Sequence, residues 1–94
     1  MSVRVKSVRH VRDYVLELHF GDGSHGEVDF RSRIVGRGGV FAPLEKIAVF
    51  RQVRVDTEAG TIIWPNGVDF CPDVLHHEAT GATLPRVPLS HRPA

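Results

Sequence analysis

The residues best suited to chemistry lie within one stretch of the chain, residues 61–75 (TIIWPNGVDFCPDVL), or directly after it. This stretch contains the only Trp and the only Cys, and two adjacent His residues follow it. The candidate functional surface consists of Trp64, Asn66, Asp69, Cys71, Asp73 and His76. Thiols, carboxylates and imidazoles carry nucleophilic and acid–base catalysis. One hypothesis is therefore a small enzyme or ligand-binding domain centred on Asp69, Cys71 and His76.

Structural explanations of these residues are simpler than catalytic ones. Cys71 is predicted beside a helix N-terminus, where the helix dipole favours a reactive thiolate. However, His76 and His77 follow five and six residues later, beyond the first helical turn. A lone Cys is usually a small buried hydrophobe. Asp69 is expected to hydrogen-bond the backbone near a turn. Asp73 is expected to stabilise the start of the helix through the helix dipole. No catalytic residue is predicted.

Six His residues are many for a chain of 94. His19 and His25 flank a predicted hairpin turn and are expected to face each other on its polar side. Such a pair could bind a transition ion, but no Cys or carboxylate is spaced to complete four ligands. His76 and His77 are adjacent, so on a helix they diverge by about 100°. The sequence therefore predicts no metal site and no cofactor.

Basic residues suggest a second kind of surface. The densest patch is Arg31, Arg33 and Arg37, and the first strand carries Arg4, Lys6 and Arg9. If the two strips adjoin, they form a surface for nucleic acid or for an acidic protein, although solvated strand faces have the same composition. With 12 basic and 11 acidic residues the net charge is only +1. Nucleic-acid binding through these Arg strips is therefore an alternative hypothesis, not the leading one.

The length predicts one small domain, residues 1–81, followed by a Pro-rich and flexible tail, residues 82–94. A single Cys rules out an internal disulfide framework and fits a reducing compartment. No signal-peptide run is present, and no segment approaches the ~18–20 apolar residues of a membrane helix. The expected location is the cytoplasm, with no membrane partner.

Alternating apolar and polar residues predict the strands that position these side chains. Strands are expected over residues 3–11, 14–20, 25–30, 53–56, 61–64 and 68–70. The second strand places Glu17 and His19 on its polar face, and a Gly/Asp-rich turn makes it one arm of a β-hairpin. The first strand has an irregularity at Ser7 and Val8 that suggests a bulge. Its exposed edge permits pairing with a second copy, so a homodimer is allowed.

The segment Trp64-Pro65-Asn66-Gly67 is expected to form a tight turn. Asn-Gly alone favours a two-residue type I′ loop. A type I turn with Pro65 at its second position and Gly67 in a G1 bulge explains more of the residues and is preferred. Trp64 itself, like the other large aromatics Phe41, Phe50 and Phe70, is assigned to the core.

Helices are predicted within residues 40–53 and from Pro72 to Gly81, and the sequence also allows a short helical turn over residues 32–35. Pro43 is expected to open the second helix and Pro72 the third, because the first helical position needs no N–H. Gly81 is the expected stop. The predicted fold class is α+β: an antiparallel sheet of five or six strands built from hairpins, with one or two short helices on one face.

Three segments resemble a known family: YVLELHFGDG (residues 14–23), GVFAPLEKIAVFRQVRVD (residues 39–56) and GTIIWPNGVDFCPDVL (residues 60–75). The WPNG-x-D-x-x-P-D-x-L run is the most specific of them. The chain resembles an uncharacterised prokaryotic family of small domains, domain-of-unknown-function family 2442. One departure is Lys46-Ile47, where many members have Asp-Pro; this weakens the N-cap of the following helix.

The resemblance implies a compact α+β domain and no defined activity. Genes of this family often neighbour a second small protein, which implies a toxin–antitoxin-like pairing; a version with an added helix-turn-helix does not transfer to this chain. The leading hypothesis is therefore a non-enzymatic interaction or regulatory module that binds a small protein partner encoded next door. A Pro-rich tail that folds on binding is compatible with that role.

Overall fold

The computed structural model describes residues 3–81, so the predicted tail over residues 82–94 lies outside the described residues. The elements in order are β1 (Val5–Arg12), β2 (Val15–Phe20), β3 (His25–Asp29), α1 (Arg31–Ile34), a 3₁₀ helix (Gly39–Glu45), α2 (Ile47–Phe50), β4 (Arg54–Asp56), β5 (Thr61–Ile63) and α3 (Pro72–Thr80). The fold class is α+β, as predicted.

The predicted β2–β3 hairpin is confirmed and forms the centre of a three-stranded antiparallel sheet in the order β1-β2-β3. In this hairpin Leu16 pairs with Val28 and His19 with His25, so one face is apolar and the other polar. The register of β1 against β2 shifts between Val5 and Ser7, close to the predicted irregularity, and again near the end of β1. These shifts bend β1 and increase its local twist.

The prediction of one sheet with five or six strands is wrong. The strands β4 and β5 form a separate two-stranded antiparallel sheet. Within residues 3–81, one backbone hydrogen bond joins β1 to this second hairpin, from the Val5 N–H to the Gly60 carbonyl (2.9 Å). The strand predicted over residues 68–70 is reduced to a single bridge between Ile63 and Asp69. No ladder joins β1 to β4 within residues 3–81, and the bulges of β1 limit how far it can align with a further strand.

The turn after β5 has the predicted form. The Gly67 N–H donates to the Trp64 carbonyl (2.9 Å), and the Trp64 N–H donates to the Val68 carbonyl (2.9 Å). Gly67 has a φ of 92°, in the left-handed region that favours glycine. These bonds and this angle define a type I turn followed by a G1 bulge, so the alternative type I′ loop is wrong.

The single helix predicted after Pro43 is also wrong. Pro43 lies inside the 3₁₀ helix, and Lys46 is extended (φ −81°, ψ 123°), which separates this helix from α2. No side chain caps the start of α2, in agreement with the weak N-cap expected from Lys46-Ile47.

One hydrophobic core joins all of these elements. Its fully buried side chains include Leu16, Leu18, Phe30, Ile34, Leu44, Phe50, Ile62, Trp64 and Leu75. Phe41 and Phe70 are partly buried against this cluster. The prediction that the large aromatic residues form the core is confirmed, and burial of each is worth roughly 2–3 kcal/mol.

The helix α3 packs on the apolar face of the first sheet. Pro72 begins it, Leu75 is fully buried in the core, and Gly81 ends it with a φ of 79°, all as predicted. The closest approach is to Gly26 of β3, where a Cβ atom would stand 1.9 Å from the Ala79 carbonyl oxygen. This contact fixes the position of His76, one turn earlier on α3.

Candidate functional site

The six residues of the predicted functional surface have separate surroundings. Trp64 is a core residue: its indole N–H donates to the Phe50 carbonyl over 2.7 Å, and its ring contacts those of Phe30, Phe50 and Phe70. It is only 1% exposed, so it cannot contact a ligand at the surface.

Asn66 joins two loops. Its Nδ2 donates to the Val40 carbonyl (2.8 Å), and its Oδ1 accepts from the Val68 N–H (3.3 Å). The side chain-to-backbone bond expected of Asp69 is therefore made by Asn66 instead. Asp69 is exposed and forms no such bond within residues 3–81.

Cys71 and Asp73 lie at the start of α3. Cys71 is exposed, and its side chain does not cap the helix. Asp73 is in the first turn, as expected, where a carboxylate is favoured by the helix dipole. Its Oδ1 atom is buried without a hydrogen-bond partner in the described part of the chain. Within residues 3–81, no hydrogen bond or ion pair joins either side chain to an acid or a base.

His76 contacts the turn between β2 and β3 rather than Cys71. Its Nε2 lies 3.0 Å from the Ser24 hydroxyl and 3.2 Å from Oδ2 of Asp22, and its ring packs edge-on against Phe20. The Ser24 hydroxyl also donates to Oδ1 of Asp22. Asp22 also accepts a hydrogen bond from the Ser24 N–H. The two bonds from Ser24, followed by the charge interaction with His76, lower the pKa of Asp22.

The Asp22–Ser24–His76 cluster has the residue types of a catalytic triad without its geometry. In a triad one ring nitrogen faces the Ser and the other faces the Asp. Here the same Nε2 atom faces both, and the Ser and Asp already bond each other. The cluster holds α3 against the hairpin turn. Among the described residues, no hydrogen bond joins any two of Asp69, Cys71 and His76.

The two basic strips are largely engaged within the domain. Arg33 forms an ion pair with Glu78, Arg9 with Glu17, and Arg4 donates to carbonyls of the turn before β5.

Arg31 and Arg37 differ from Arg9 and Arg33, which form ion pairs. Both are exposed, and neither forms an ion pair within residues 3–81. Arg31 lies over the Tyr14 ring at 5.0 Å, and Arg37 donates to the Ser32 carbonyl. We call these two residues the basic rim.

Exposed apolar side chains lie in the loop after α1 and at the start of the 3₁₀ helix. Val35 is 40% exposed and Val40 is 60% exposed. Three glycines between them, at positions 36, 38 and 39, have positive φ, which lets the chain turn sharply enough to present both valines. Asn66 places residues 65–67, which are exposed, beside Val40. We call Val35, Val40 and residues 65–67 the loop surface.

The polar face of the first sheet brings together Glu17, His19 and His25, of which only the two histidines were predicted to face each other. The His19 and His25 rings face each other as predicted, stacked with centroids 4.9 Å apart. Glu17 lies beside them, and one ligand atom from each of the three residues falls within 4.8 Å of the others. Hydrogen bonding and charge from Arg9 lower the pKa of Glu17. The signal for Glu17 was its position two residues before His19, on the same strand face.

Comparison with protein families matches residues 5–81 to the proteins of unknown function designated DUF2442. The chain belongs to this family. The match covers most of the chain and includes every element from β1 to α3. No curated protein and no solved structure gives a significant match. Membership in the family assigns no activity to the chain.

Among residues 3–81, none of the helices has the length and apolar character needed to cross a membrane.

Proposed function

We propose that this chain is a non-enzymatic interaction module that binds a small partner protein through the loop surface. The observation that carries the proposal is the exposure of Val35 and Val40, the large apolar side chains that the described domain leaves in contact with solvent. Both side chains lie within one short segment, and exposed apolar surface bordered by polar groups is typical of protein interaction sites when it is contiguous.

The loop surface is held in place before any partner binds. The Gly36 N–H donates to Oε2 of Glu45 (3.0 Å), and Asn66 donates to the Val40 carbonyl (2.8 Å). The Tyr14 hydroxyl in turn donates to the Glu45 carbonyl, which anchors this segment to the first sheet. A loop that is already ordered loses less conformational entropy on binding.

The positive charge of the basic rim indicates which residues the partner should carry. Arg31 and Val35 line one shallow depression together with Asp29 and Ser32, and Arg37 follows on the same loop. A partner that places apolar side chains on Val35 and Val40 and carboxylates against Arg31 and Arg37 would match both features. The proposed partner is therefore a small protein with an apolar patch bordered by acidic residues. A toxin–antitoxin-like pair, encoded by neighbouring genes, is the form this interaction is proposed to take.

Co-expression with the product of the adjacent gene tests the proposal. The tagged chain is expected to retain that product through purification, and Val40→Asp is expected to release it. Ala59→Asp is the matched control, because Ala59 is exposed in a turn that Arg4 ties to β1. Purification of the wild-type chain as a monomer without the neighbouring product would contradict the proposal, and so would equal loss in both variants.

No contact among the described residues supports the alternative of an enzyme centred on Asp69, Cys71 and His76. The imidazole of His76 is engaged with Ser24 and Asp22. The nucleic-acid alternative rests on Arg strips whose members Arg4, Arg9 and Arg33 are engaged within the domain. We therefore propose neither as the function.

A further inference from the structure

The geometry of the polar sheet face points to a binding site for a divalent transition-metal ion, formed by Glu17, His19 and His25. The site is separate from the loop surface and does not depend on the proposed partner. Its metal is of the zinc class, because two imidazoles and one carboxylate are a ligand set that Zn²⁺ accepts.

Strand register brings the three side chains together. Glu17 and His19 are two residues apart on β2, so both project from the same face. His19 pairs directly with His25 of β3, which places the second imidazole opposite the first. The hairpin that carries all three is the most regular part of the sheet, so the positions of their Cβ atoms are fixed by backbone pairing.

The distances are close to those of a metal site. Nε2 of His19 lies 3.7 Å from Oε1 of Glu17, and the three ligand atoms lie within 4.8 Å of one another. With bonds of ~2.0–2.1 Å, tetrahedral geometry separates ligand atoms by about 3.4 Å. Side-chain rotation can supply the difference, because His19 and His25 are exposed and Glu17 is half-buried.

One carboxylate oxygen of Glu17 and the ring of His25 remain available as ligands. All polar contacts of Glu17 within the described chain use Oε1, from Arg9 and His19, so Oε2 accepts no hydrogen bond there. The His25 ring stacks on the His19 ring, and its imidazole nitrogens form no hydrogen bond with another described residue. Three protein ligands leave the fourth position of a zinc ion for water or for a group from another molecule.

Cobalt and zinc titrations of the full-length chain test the site. Co²⁺ is expected to bind one equivalent and to develop visible d–d absorption, and one equivalent of Zn²⁺ is expected to displace it. Side-chain ¹H–¹⁵N spectra of the histidines are expected to show shifts at His19 and His25 and little change at His10 and His76. Shifts confined to other histidines, or titration without saturation at one equivalent, would overturn the inference.

Substitutions distinguish the site from general histidine binding. His19→Ala and His25→Ala are each expected to weaken Zn²⁺ binding by at least ~10-fold. Loss of a residue that only hydrogen-bonds to a metal ligand already lowers metal affinity by about this factor. Glu17→Gln is expected to weaken it less. His77→Ala is the matched control, on α3 and outside the cluster. Equal affinity in His19→Ala, His25→Ala and His77→Ala would refute the site, provided that circular dichroism shows all three folded.

Discussion

The carbonyl of Ala79 on α3 lies directly against the backbone of Gly26 on β3. A Cβ atom at position 26 would stand 1.9 Å from that oxygen and 2.7 Å from the carbonyl carbon. The alternating pattern that predicts the strand over residues 25–30 gives Gly26 no special role. The structure shows that its missing side chain sets how closely α3 approaches the sheet.

Gly26→Ala is expected to destabilise the domain by about 1–3 kcal/mol, the usual cost of overpacking, because α3 must move away from β3. Gly21→Ala is the control: its φ is not in the left-handed region, and its Cβ would meet only atoms 3.8 Å away or further. Urea unfolding of both variants measures the difference. Equal midpoints would show that α3 can shift without cost.

Trp64 and Phe50 are joined by a buried hydrogen bond and by ring contact. Trp64→Phe removes the indole donor and leaves a small cavity, so we expect a loss of about 1–3 kcal/mol in the free energy of unfolding. Phe41→Leu, at a half-buried ring, is expected to cost less. If denaturant titration showed that both substitutions lower the free energy of unfolding equally, the indole would not be a central contact of the core.

The Ser24 hydroxyl and N–H, followed by His76, hold the pKa of Asp22 below its ordinary value of 3.8. A carboxyl with a lower pKa in the folded state stabilises that state when ionised. This contribution is fully present above pH 3.8 and is lost as the pH falls through the lower folded-state pKa. Wild type is therefore expected to exceed Asp22→Asn in stability at about pH 6, with the gap narrowing at about pH 3. Urea unfolding that gave the same stability difference between the two proteins at both pH values would contradict this prediction.

Arg9 competes with a metal ion for Glu17, because its guanidinium bonds Oε1 over 2.9 Å. Arg9→Ala frees the carboxylate and removes a nearby positive charge. It is therefore expected to tighten Zn²⁺ binding by about two- to fivefold, the scale of one exposed ion pair. Arg12→Ala removes a charge paired with Glu27 instead, and is expected to change the affinity less. Calorimetric titration in which Arg9→Ala weakened binding would contradict the competition.

The elements predicted correctly are those specified by neighbouring residues. Strict alternation and a Gly/Asp-rich turn define the β2–β3 hairpin, Pro65 and Gly67 define the bulged turn, and Pro72 and Gly81 delimit α3. In each case the signal is a local backbone preference, which does not depend on the rest of the fold.

The errors concern relations between distant parts of the chain. The separation into two sheets depends on how β1 bends, which strand alternation does not encode. The contact of His76 with Ser24 joins residues 52 positions apart, so sequence analysis missed it. Glu17 could have been found, because its polar-face position beside His19 was already part of the predicted pattern.

The interaction proposal is tested most directly by the affinity of the purified chain for the purified product of the adjacent gene. The wild-type chain is expected to bind with a saturable stoichiometry. Val40→Asp is expected to lose at least ~10-fold in affinity, or about 1.4 kcal/mol, because it places a charge on the most exposed large apolar residue of the loop surface. Ala59→Asp is expected to bind like wild type. Absence of binding by the wild-type chain, or unchanged affinity in Val40→Asp, would contradict the proposed role of the loop surface.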